Sequence, residues 1–148
     1  MTPLPETSSG QVFVDTGAWL AIAVKRDQYH KVAADYYRQL SHRRISLITT
    51  NYVLQETYTR IRYDDGHNKA IQFHEIITES IQKGRIRVEW ITPSIHEEAW
   101  IFFRNYPDHA FSFVDCTSFI VAKKVGTQTV FGFDTFFKII GFTLEPVL

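Results

Sequence analysis

Short apolar runs rich in β-branched or aromatic residues alternate with longer segments of helical period along almost the whole chain, and few folds accept that alternation. Five runs read as strands: 11–15 (QVFVD), 45–49 (ISLIT), 86–91 (IRVEWI), 129–133 (TVFGF) and a last, edge strand within FTLEPV. Between them, residues 16–24 are apolar enough to start a helix. Residues 29–42 place Val32, Tyr36 and Leu40 four apart, and residues 50–63 carry Val53, Leu54, Thr57, Tyr58 and Ile61 at helical spacing. Residues 68–82 repeat the pattern with Ala70, Phe73, Ile77 and Ile81. Asp64-Asp65-Gly66 reads as a break. Ser94, with Glu97 three residues on, reads as a capping box that opens a helix over 94–104. Residues 114–125 are apolar nearly all round, which predicts a central buried helix closed by Lys123, Lys124 and Gly126. A short helix over 134–140 ends at Gly141.

Strands alternating with helices predict parallel strands joined by right-handed crossovers, with helices on both faces. The expected fold is therefore α/β: a three-layer α/β/α sandwich around a parallel sheet of about five strands. A chain of 148 residues suits one domain, here expected over 11–148 after a loose polar tail at 1–10 (MTPLPETSSG). That tail lacks the basic and apolar regions of a signal peptide, and no apolar run approaches the ~20 residues of a membrane span. The single cysteine, Cys116, excludes an internal disulfide and a Cys-based zinc cluster, and suits a reducing cytoplasm. Lys plus Arg and Asp plus Glu are both 16, so overall charge names no partner.

Function has to come from where particular acids fall. Asp15 and Asp134 both stand where a strand gives way to a helix, so the fold sets two carboxylates on the carboxyl rim of the sheet. Each has an ordinary explanation as a helix cap. Ser112-x-x-Asp115 is a capping-box pattern, and Glu56 could pair with Arg60 one turn on. Jointly these four acids favour another reading, because carboxylates beside apolar neighbours repel one another unless a cation sits among them. Hard oxygen donors suit magnesium or manganese, and an acidic, metal-loaded cleft is what phosphodiester hydrolysis needs.

Four stretches then resemble the motifs of the PIN-domain ribonucleases, in particular the VapC-type toxins of bacterial toxin–antitoxin pairs. These are FVDTGAWLAI, TTNYVLQETYTRIR, FSFVDCTSFIVAKKVG and TVFGFDTFFKIIGF, in the family's order, from about Gln11 to the end. The resemblance implies a Mg2+- or Mn2+-dependent endoribonuclease acting on RNA, usually a homodimer and often held inactive by a small antitoxin protein. It implies that Asp15, Glu56, Asp115 and Asp134 are the catalytic, metal-binding acids, with Thr16 and Ser112 accessory. Relatives often carry a hydroxyl residue just before the third acid, where this chain has Val114.

Other residues carry less. None of the six histidines forms an H-x-x-x-H pair, and His109, with Asp108 beside it, is the one nearest a motif. Of the basic pairs, Arg60 and Arg62 lie closest to Glu56 and are the better candidates for holding RNA phosphates. Cys116 reads as a small core residue. No Gly-rich phosphate loop is present, and Gly17 stands where a phosphatase with an aspartyl nucleophile would need a second Asp. The alternative from another class is a catalytically silent module of the same fold that binds RNA or acts as a scaffold. The apolar helices over 29–42 and 68–82 are the expected subunit contacts.

Overall fold

A computed structural model describes residues 10–148. Most of the tail expected at 1–10 therefore lies outside the described residues. The chain runs β1 (Gln11–Val14), α1 (Thr16–Ala23), α2 (His30–His42), β2 (Ser46–Thr50), α3 (Asn51–Asp65), α4 (His67–Gln82), β3 (Ile86–Glu89), α5 (Pro93–Asn105), α6 (Phe113–Lys124), β4 (Thr129–Phe131), α7 (Phe136–Ile140) and β5 (Thr143–Glu145). Five strands form one sheet in the order β3-β2-β1-β4-β5, and every pairing is parallel. Phe13 of β1 is registered against Ile48 of β2 on one side and Val130 of β4 on the other. The architecture is the expected three-layer α/β/α sandwich.

The core follows from the apolar runs. Val12, Phe13, Val14, Val130 and Phe131 are wholly buried, as strands covered on both faces must be. Rings fill much of the remaining space: Phe119 of α6 meets Phe111, Phe137 and Phe102 at centroid separations of 5.0–5.7 Å. Helix α6 is the central helix its composition predicts, with Cys116–Phe119, Val121 and Ala122 all buried. Among the described residues no helix is long and apolar enough to cross a membrane.

Three local expectations are corrected. Helix α5 is capped by Thr92, whose hydroxyl accepts from the Ile95 amide at 3.2 Å, and not by Ser94. Pro93 occupies its first turn, where the missing N–H costs nothing, so the helix starts one residue before Ser94. Asp64 and Asp65 stay helical. The break falls on Gly66, at φ 96°, a backbone angle that side-chain-bearing residues avoid. Strand β4 ends at Phe131 and α7 begins only at Phe136, so residues 132–135 form a connecting turn at the sheet rim.

The strand order decides where a site can form. From β1 the chain builds outward through β2 and β3, then returns to lay β4 and β5 on the other side of β1. The crossovers diverge at the carboxyl ends of β1 and β4, which is where such sheets open a crevice.

Candidate active site

Asp15 follows β1 directly and stands at the Ncap position of α1. Its carbonyl starts the helix, accepting from Ala18 N and Trp19 N. Its side chain makes no capping bond, so the ordinary explanation for this residue fails. The backbone is held from both neighbouring strands. Asp15 N donates to Phe131 O at 3.0 Å, and Trp19 Nε1 donates to Thr49 Oγ1, which in turn donates to Val14 O. Gly132 closes the far side. A Cβ at that position would lie 3.3 Å from Asp15 Cβ, so only a glycine leaves the carboxylate its full room.

Asp115 does form its capping box: Asp115 N donates to Ser112 Oγ at 3.0 Å, and Ser112 N donates to Asp115 Oδ2 at 2.9 Å. The box uses one carboxylate oxygen. Asp134 receives the Phe136 amide at 2.9 Å on Oδ1, which fixes the rim turn between β4 and α7. Glu56, half-buried on α3, takes part in none of the ion pairs formed among the described residues, so the ordinary alternative of a Glu56–Arg60 pair is absent. Both arginines expected near it, Arg60 and Arg62, are exposed on α3.

Electrostatics tie these four residues together. Burial pushes the Asp15 carboxyl up to about 8, and the charges of Asp115, Asp134 and Glu56 push in the same direction. Burial also raises Asp115, with Asp134 and Glu56 adding to the shift. Four carboxylates from four separate segments therefore share one field. Two buried hydroxyls here lack any partner: Thr16 Oγ1, next to Asp15, and Ser118 Oγ, three residues past Asp115 on α6. Thr16 was legible from the motif. Ser118 was not, because nothing in its local sequence separates it from a core serine.

Among the described residues, no three Asp, Glu, His or Cys side chains are gathered tightly enough to grip an ion directly. The carboxylates act on one another through space instead of closing on a common point. A magnesium-like ion, which keeps several of its own waters and takes only one or two carboxylates directly, suits such a set. The orphaned Thr16 hydroxyl and the uncapped Asp15 carboxylate are the groups such an ion and its waters would satisfy.

The remaining sequence candidates separate clearly. His109 and Asp108 are exposed, and His109 stacks on Phe111 at 5.1 Å. Cys116 is buried, and its thiol is pushed up to about 11 by burial and the Asp115 charge, as befits a core residue. A further histidine, His96 on α5, contacts residues that neighbour two of the acids in the chain. Its Nδ1 lies 3.1 Å from Tyr52 Oη, and its ring packs against Phe113.

Comparison with known proteins shows the family and the fold. The PIN domain family matches residues 12–142. The 23S rRNA-specific endonuclease VapC20 of Mycobacterium tuberculosis is 34% identical over 131 residues, spanning 88% of this chain and 95% of that protein. The crystal structure of M. tuberculosis VapC20, described as a sarcin-ricin loop cleaving toxin, superposes with a TM-score of 0.78 at 32% identity, over 89% of this chain and 96% of the other. VapBC2 from Rickettsia felis, bound to a DNA fragment from its promoter, shares the fold at TM-score 0.68 and 12% identity, over 91% of this chain and 97% of that one.

Proposed function

The chain belongs to the PIN-domain family as a VapC-type toxin endoribonuclease, and from that premise we propose that it hydrolyses RNA with a magnesium or manganese ion held by Asp15, Glu56, Asp115 and Asp134. The observation that carries the metal is the mutual repulsion of these four acids around a buried Asp15 pushed up to about 8. Such an arrangement costs folding energy unless the buried carboxyl keeps its proton or positive charge offsets it. Bound there, the ion would supply a water acidic enough to act as a nucleophile and would offset charge growing on the phosphate oxygens.

The chain's own groups set the geometry. Asp15 is fixed through its backbone to β4 and, through Thr49, to β2. Asp115 keeps one oxygen free because Ser112 engages the other. Thr16 Oγ has no protein partner and is available to orient a water. Ser112 is thus accessory in a defined sense: it aims Asp115. Arg60 and Arg62 remain the candidates for holding flanking phosphates. Ribosomal RNA is the first substrate to try, since the 34% identical relative is a 23S rRNA-specific endonuclease.

We place the protein in the cytoplasm as one domain over 11–148, paired as a homodimer and restrained by a small antitoxin. Of the two expected contact helices, α4 fits better, because it exposes Ile71 and Ile76. The test uses purified chain and its Asp15→Asn variant on ribosomal RNA, with manganese or with chelator. Cleavage by the native chain in manganese alone is expected. Cleavage by the variant, or cleavage indifferent to chelator, overturns the metal mechanism. If the native chain cuts no RNA, the silent-module alternative replaces it.

A further inference from the structure

A strip of rings begins at residues that neighbour Glu56 and Asp115 in the chain and runs over α5. Tyr52 precedes Glu56 by four residues on α3, so the two side chains share a helix face. Phe113 is the first residue of α6, two before Asp115 and inside the same capped turn. His96 of α5 bridges them: its Nδ1 lies 3.1 Å from Tyr52 Oη, and its ring centroid is 4.8 Å from that of Phe113, tilted by 52°. Phe113 then meets Phe103 at 6.2 Å, and Phe103 stacks on Trp100 at 5.7 Å with planes 22° apart. Trp100 is 47% and Phe103 40% exposed, and His96 is exposed as well. Monomeric surfaces rarely string large rings together in this way without a use.

We infer that Tyr52, His96, Phe113, Phe103 and Trp100 form a stacking platform for unpaired nucleobases of the RNA beside the scissile phosphate. The inference rests on the nuclease reading above, and it adds how the substrate is gripped and which form of RNA is accepted.

Position selects the occupant. A strand whose phosphate lies at the acids carries its neighbouring base within reach of the Tyr52–His96–Phe113 wall, because that wall shares its turns with Glu56 and Asp115. Phosphate contacts place a strand, whereas ring faces receive the bases, and a flat ring accepts any base. The chemistry of the strip fits as well. Tyr52 Oη and the His96 ring nitrogens offer hydrogen bonds at the edge of an otherwise apolar surface, which suits a base with a π-face and a polar edge. On the same face of α3, four residues past Glu56, the exposed Arg60 takes part in none of the ion pairs formed among the described residues and can meet a further phosphate. Bases inside a duplex are already stacked and paired, so the platform selects loops, bulges and single strands.

The test measures binding apart from cleavage. All proteins carry Asp15→Asn and are held in chelator, so no strand is cut; Asn matches the shape and charge of the protonated carboxyl that burial favours at position 15. Anisotropy of labelled homohexanucleotides of each base is compared with hexamers of abasic ribose phosphate. Base-bearing strands should bind about ten-fold tighter, or 1.4 kcal/mol. This preference should vanish with Trp100→Ala and His96→Ala combined, and should survive Tyr52→Phe, which keeps the ring. Thermal melting confirms that each variant folds. Equal affinity for abasic and base-bearing strands overturns the platform, as does failure of both to bind. So does a change in molecular mass, without loss of the base preference, on substituting Trp100; that result would make the strip a contact between two copies. If the native chain cuts no RNA yet prefers base-bearing strands, the platform stands and the nuclease reading falls.

Discussion

Helix α3 has two working sides, and they face different kinds of surface. One side carries Glu56 into the acid cluster at the rim of β1 and β4. The other, with Leu54, Gln55 and Tyr58, lines an open groove of about 960 Å3 against Ile81 of α4 and Val88 and Trp90 at the edge strand β3. The groove has mainly apolar walls, and by shape alone it would be taken as the site. It nevertheless contains none of the four acids and no orphaned buried hydroxyl. The rim cluster instead costs energy: a carboxyl pushed up to about 8, repelling neighbours, and hydroxyls without partners. Unrelieved electrostatic cost, more than concavity, singles out the rim cluster as the candidate site.

The widest gap between the two regions should appear in catalysis. Asp115→Asn is expected to lower kcat/KM for RNA cleavage by at least about 100-fold, the scale of losing one charge-stabilising group. Trp90→Ala in the groove should leave it within about two-fold. Comparable losses in both would erase the distinction.

Stability against pH sharpens the contrast. Asp15 titrates near its ordinary 3.8 when unfolded and at about 8 when folded. Between those values the metal-free folded chain holds a proton that the unfolded chain has released. The Asp15 contribution to stability is therefore fullest below about 4, falls as pH rises toward 8 and changes no further beyond it, with a steepest slope of about 1.4 kcal/mol per pH unit. Urea unfolding in chelator at pH 5 and pH 8 should show a loss of a few kcal/mol, which Asp15→Asn should flatten. A wild-type profile already flat would mean that the cluster carries no such strain.

The smallest effect tests the cradle. Gly132→Ala adds a Cβ 3.3 Å from that of Asp15. It should cost about 1 kcal/mol of stability and displace the carboxylate enough to lower kcat/KM by about ten-fold. Full activity in this variant would show that Asp15 tolerates displacement.

Much of this was legible in the sequence, for physical reasons that differ by residue. The strands of β1 and β4 announced themselves because burial on both faces demands uninterrupted apolar runs. Asp15, Asp115 and Asp134 were legible because each interrupts such a run, or opens a helix, at a rim. The cap of α5 was misread because Ser94-x-x-Glu97 mimics a capping box, while Thr92 followed by Pro93 is the stronger start. The Glu56–Arg60 pair was plausible by spacing alone, yet Glu56 forms no ion pair among the described residues and its charge acts on Asp15 and Asp115. His96 was invisible because its meaning lies in Tyr52 and Phe113, which are 44 and 17 positions away.

By itself, the sequence determined the alternation of strands and helices and the parallel sheet, since these follow from local periodicity and apolar runs, and it offered the four acids as site candidates through their resemblance to the PIN-domain motifs. Only the tertiary structure decided that the acids share one field, that Gly132 opens room for Asp15, and that rings from α3, α5 and α6 meet in one strip. The reason is that periodicity and propensity act within a few residues of chain, whereas repulsion, desolvation and stacking depend on distances through space that the crossovers of the fold set.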